Sequence, residues 1–74
     1  MTSYNYKKLT KKLKILGFRF FRQGRGSHVL WVRDGDKTVI PIPKHSAKDI
    51  KLGTLHEICK QIGLKNKNDL DKIN

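Results

Sequence analysis

Three short runs of strand-forming residues, Phe18 to Arg22, His28 to Arg33 and Lys37 to Ile42, follow one another between two stretches of helical periodicity. β-branched and aromatic residues dominate these runs and glycine-containing loops part them, so they read as a three-stranded antiparallel meander. The Asp34, Gly35, Asp36 connection is a hairpin signal, because Asp-Gly tolerates the positive φ angles of tight turns. Ahead of the strands, Ser3 or Asn5 can cap a helix whose apolar positions Tyr6, Leu9, Leu13 and Leu16 recur at helical spacing, with Gly17 as its left-handed stop. Behind them, Ser46 and Asp49 have the spacing of a capping pair. They predict a second helix running to about Ile62, with Leu52, Leu55, Ile58, Cys59 and Ile62 inward and Gly63 ending it. Asn66 and Asp69 can cap a last turn carrying Leu70 and Ile73, which is expected to be short or frayed.

This order is that of one α+β domain spanning 1–74, large enough for a single two-layer core and too small for a deep enclosed cavity. Any active site should lie open on the surface. Alternation does not choose the core face of the sheet, since Val29 and Trp31 compete with Leu30 and Val32, and Pro41 and Pro43 limit what the last strand can donate. A sheet apolar on both faces would suit helices on one side and a partner protein on the other.

Seventeen Lys and Arg against six Asp and Glu give a formal charge of +11, so nucleic acid is the first partner to consider. Lys7, Lys8, Lys11, Lys12 and Lys14 would form a positive face on the first helix. No apolar stretch approaches the roughly 20 residues of a membrane span, and no signal-like apolar core follows the first lysines, which leads to the expectation of a cytoplasmic protein with no membrane contact. Cys59, alone of its kind, falls on the apolar stripe of the second helix and reads as a buried thiol. His56 and Cys59 lie one helical turn apart, but no second pair offers the remaining ligands of a zinc site.

The loop Gly24, Arg25, Gly26, Ser27 presents His28 at the mouth of the second strand. Two glycines around a cation give a backbone that bends sharply and approaches a ligand closely, so the histidine could meet a phosphate. A half-buried, hydrogen-bonded histidine in a plain turn is the competing reading.

Gly26, Ser27 and His28 opening a strand, a proline-bearing third strand ending in Pro43, Lys44 and His45, and then Leu52, Gly53, Thr54, Leu55, Ile58 and Gly63, together resemble the HicA toxin family. The resemblance covers Tyr6 to Leu64. It implies a fold like the double-stranded-RNA-binding domain, cleavage of messenger RNA, neutralisation by a HicB-type antitoxin, and His28 as the catalytic histidine. It also implies a second acid–base or phosphate-contacting role for His45.

The chemistry is consistent with that. An imidazole can take the proton of a ribose 2′-hydroxyl or deliver one to the departing 5′-oxygen, and RNA carries its own nucleophile, so neither metal nor small-molecule cofactor is required. Arg25, Lys44 and the backbone N–H groups from Gly24 through Gly26 to Ser27 are candidates for holding the scissile phosphate, and Ser27 could instead bond the imidazole or brace its own loop. Single-stranded RNA would then run over Lys7, Lys8, Lys11, Lys12 and Lys44. Two other classes compete: a non-catalytic RNA-binding module, which would bind duplex and cut nothing, and an interaction protein whose basic surface only engages an acidic partner.

Overall fold

The computed structural model describes residues 3–44 and 48–73; His45 and Ser46 lie outside them, and with them the expected Ser46 cap. Helix α1 spans Tyr6–Ile15. Asn5 is its N-cap, the side-chain oxygen accepting from the Lys8 N–H at 2.8 Å, and beyond the Leu16 C-cap Gly17 takes φ +93°, a conformation in which any other residue would be strained. Strands β1 (Phe18–Gln23), β2 (His28–Arg33) and β3 (Thr38–Pro43) form one antiparallel sheet in the order β1-β2-β3. Helix α2 spans Leu52–Gln61 and helix α3 spans Lys67–Asp71. The architecture is α+β, helices with an open three-stranded sheet, consistent with the double-stranded-RNA-binding-like fold.

Register decides what alternation could not. Trp31 pairs with Ile40 and Val29 with Ile42, and these four are buried with Leu9 and Leu13 of α1 and Leu55, Ile58 and Cys59 of α2. Trp31 donates its indole N–H to the Tyr6 hydroxyl at 3.2 Å, the rings meeting edge to face, which satisfies a polar atom that burial would otherwise penalise and ties α1 to β2. His28, Leu30, Val32, Val39 and Pro41 therefore belong to the other face. Val32 is buried there between its cross-strand partners Arg19 and Val39, while Val39 and Pro41 are exposed.

The structure departs from the sequence reading at several points. β1 is interrupted: Phe20 pairs with Trp31 and Arg22 with Leu30, so Phe21 is the extra residue of a β-bulge. The Asp34-Gly35-Asp36 hairpin forms, but its positive φ falls on Lys37, at 62°, with Asp36 accepting from the Thr38 N–H. α2 begins at Leu52 rather than after Ser46, because Ile50 donates to the Tyr4 carbonyl and Asp49 bridges Asn5, an extended pairing that a helix could not make. Leu52, expected inward, is exposed, since it heads the helix and has no preceding turn to lie over. The last turn is α3, capped by Asn66 through the Asn68 and Asp69 N–H groups, and it is docked: Leu70 is fully buried and the Tyr4 hydroxyl donates to Asp71 at 2.6 Å. At the sheet margins, β1 leaves one edge unpaired, while β3 carries Pro41 and Pro43, which have no N–H to offer.

Candidate functional site

The loop before β2 is closed by its own backbone. Gly24 donates to the His28 carbonyl at 3.0 Å, His28 donates to the Arg25 carbonyl at 2.9 Å, and Gly26 sits at φ +55° between them. The Gln23 side-chain amide clasps the loop from outside, donating to the carbonyls of His28 and Gly26 at 3.0 and 3.3 Å. A side chain at Gly24 would be crowded: a Cβ there would lie 3.2 Å from the His28 carbonyl oxygen, and 3.4 Å from Leu30. Of the four N–H groups proposed for phosphate, that of Gly24 is thus already engaged, whereas those of Arg25, Gly26 and Ser27 have no backbone partner among the described residues. Lys44 is fixed beside the loop by donating its N–H to the Ser27 carbonyl at 2.7 Å, and its ammonium lies 5.4 Å from the centre of the Tyr6 ring.

His28, the first residue of β2, is exposed and borders two depressions. One, of about 670 Å³, lies toward the uncovered sheet face and is lined by Arg22, Gln23, Gly24, Arg25, His28, Leu30 and Pro41. The other, of about 350 Å³, runs to the start of α2 and is lined by His28, Pro43, Lys48, Asp49, Ile50, Lys51 and Thr54. The first turn of α2 has no side-chain cap and no acid among the described residues, so its N–H groups and its dipole favour a negative charge beside Lys48 and Lys51.

The acids that the fold titrates lie elsewhere. Arg19 binds Asp34 and Arg33 binds Asp36, both at 2.8 Å, and these guanidiniums lower both carboxyls, that of Asp36 well below the usual carboxylate range. They sit in the β2–β3 turn, at the opposite end of β2 from His28. A carboxylate near the imidazole is supplied by Asp49, across the smaller depression. Burial, aided by Asp71, raises the Cys59 thiol, which is inert in the core, and the described residues hold no group of three metal-ligating side chains.

The sequence-predicted residues are thus brought together in part. Gly24, Arg25 and His28 share a depression, with Gly26, Ser27 and Lys44 adjoining it. Among the described residues Ser27 makes no side-chain hydrogen bond to the imidazole. Lys7 and Lys11 are exposed on α1, but neither lines a depression beside His28. Lys8 lies over the Tyr4 ring and bonds the Ser3 carbonyl, and Lys12 donates to the Ile73 carbonyl, so both have structural partners. His45 is outside the described residues. Arg22, Leu30, Pro41 and Thr54 were not expected as site residues, although Thr54 is among the residues that carry the family resemblance; Arg22 was missed because the bulge that turns it outward leaves no trace in the residue pattern.

A family model described as HicA toxin of bacterial toxin-antitoxin matches residues 6–64, which takes in α1, the sheet, the His28 loop and α2. The chain belongs to the HicA toxin family. Neither the curated proteins nor the solved structures contain a match. Membership makes the chain the toxin half of a toxin–antitoxin pair and implies a cognate antitoxin. Helix α3 falls beyond the segment matched to HicA, although its Leu70 is part of the common core.

Proposed function

We propose that the chain is a metal-independent endoribonuclease of the cytoplasm, acting as one unit over 1–74, that cleaves single-stranded messenger RNA and is inhibited by a HicB-type antitoxin. What carries the reading is the exposed His28 on a braced strand end, between depressions that bear Arg22 and Arg25 on one side and Lys48 and Lys51 on the other. The imidazole serves as the acid–base group for the 2′-hydroxyl or the 5′-oxygen, and the guanidinium of Arg25 with the N–H groups of Arg25, Gly26 and Ser27 stabilises charge on the phosphate. Lys44, held at the loop, adds a cation to the same neighbourhood. His45, next in sequence to Lys44, supplies a second acid–base group or a phosphate contact. The open site suits inhibition by cover: a partner need only overlie the loop to exclude RNA.

Purified protein is expected to cut single-stranded RNA in EDTA, and His28→Ala to keep RNA affinity while losing cleavage by about 100-fold or more. Cleavage that needs a divalent ion, or that survives in His28→Ala, would overturn the mechanism. Binding of duplex in preference to single strand with both left intact would identify a binding module instead.

A further inference from the structure

We infer that Arg22, Leu30 and Pro41 form a stacking subsite for one unpaired base of single-stranded RNA, on the uncovered sheet face beside His28. The inference rests on the ribonuclease reading above. It begins with the bulge in β1. Strict alternation from Phe18 would put Arg22 on the helix-covered face with Phe18 and Phe20; the extra residue Phe21 instead pairs Arg22 with Leu30, which in turn pairs with Pro41. The three make one row across the sheet. His28 precedes Leu30 by two residues on the same face, about 6.8 Å along the strand, so a base over this row has its phosphate within reach of the imidazole.

The lining chemistry fits a base. Leu30 and Pro41 give an apolar floor, half-buried and exposed respectively, and no acid lines the 670 Å³ depression to repel a phosphodiester chain. The Arg22 side chain makes no hydrogen bond or ion pair among the described residues, and its guanidinium carbon lies 5.7 Å from the centre of the exposed Phe21 ring, already disposed toward a π-face. A planar guanidinium can cover the second face of a base whose first face rests on Leu30 and Pro41, as flat cations and aromatic rings do in single-strand recognition. Bases inside a duplex cannot be laid on such a floor. The occupant is therefore an unpaired nucleobase attached to the phosphate that His28 meets.

The test is a binding scan of a short single-stranded RNA carrying one abasic residue at successive positions, with His28→Ala protein so that nothing is cut. One position should lower affinity by roughly fivefold or more, the low end of what losing a stacked base costs. Adding Arg22→Ala should flatten the scan. Arg22→Lys should flatten it equally while keeping the salt dependence of binding, because an ammonium preserves the charge and loses the plane. A flat scan with Arg22 present, or a dip that persists in Arg22→Ala or Arg22→Lys, would overturn the subsite. The ribonuclease reading is decided separately, by whether wild-type protein cuts RNA and His28→Ala does not.

Discussion

Gly24 is the residue whose replacement tests the architecture of the site most directly. A Cβ added there would press on the His28 carbonyl oxygen at 3.2 Å, and that oxygen is held in place by accepting from both Gly24 and Gln23. Gly24→Ala is expected to cost about 1–3 kcal/mol and several degrees of Tm, and to lower cleavage further by moving His28. Gly26→Asn should be mild, since nothing lies within 4 Å and asparagine adopts positive φ readily. Thermal unfolding of the two variants separates crowding from φ strain. His28 and its loop were legible in sequence because glycines and a histidine ahead of an apolar run are local signals. Arg22 was not, because its orientation depends on a pairing register that only the partner strand sets.

Among the elements, α3 shows how a weak local signal becomes firm structure through contacts far away in sequence. Asn66 marks its start, as the sequence suggests, but what docks it is Tyr4, whose buried hydroxyl donates to Asp71, with Lys67 bonding the same carboxyl at 3.0 Å. The Tyr4 bond and Lys67 hold the Asp71 carboxyl below its ordinary range, while burial and that bond push the Tyr4 phenol well up. A depressed carboxyl contributes stability that is fully present above the unfolded value near 4 and is lost as pH falls through the folded one. A raised phenol does the reverse, contributing below about pH 10 and fading as pH rises through its folded value. Asp71→Asn should therefore flatten the acid limb of a stability–pH curve, and Tyr4→Phe should flatten the alkaline limb and cost about 1 kcal/mol at neutrality. Equal curves for wild type and Asp71→Asn below pH 5 would contradict this. The start of α2 was misread for a related reason: the Tyr4 and Asn5 backbone claims residues 49 and 50 as extended partners, and no pattern local to Ser46 and Asp49 reports that.

At the scale of the molecule, the +11 charge is unevenly opposed. Asp34 and Asp36 are matched by Arg19 and Arg33 at one end of the sheet, while the end bearing His28 has Arg22 and Arg25 in one depression and Lys48 and Lys51, with Asp49, in the other. Arg25→Ala or Lys48→Ala should each make the log–log salt dependence of single-strand affinity shallower by about 0.7, whereas Lys12→Ala, which loses its bond to the Ile73 carbonyl, should lower Tm and leave the slope alone. Element order and charge were readable because periodicity and composition survive without neighbours. The core face was not, since Val29 with Trp31 and Leu30 with Val32 are equally apolar and only the helices decide between them. The sheet margins carry a consequence of their own. With Pro41 and Pro43 closing one side and β1 bare on the other, the sheet can be lengthened in one direction only. A second β1 meeting that edge would bring Arg22 and the Arg19–Asp34 pair of each copy toward its twin, so any such self-pairing should be opposed in dilute buffer and grow as salt screens the arginines, which sedimentation across a salt series checks.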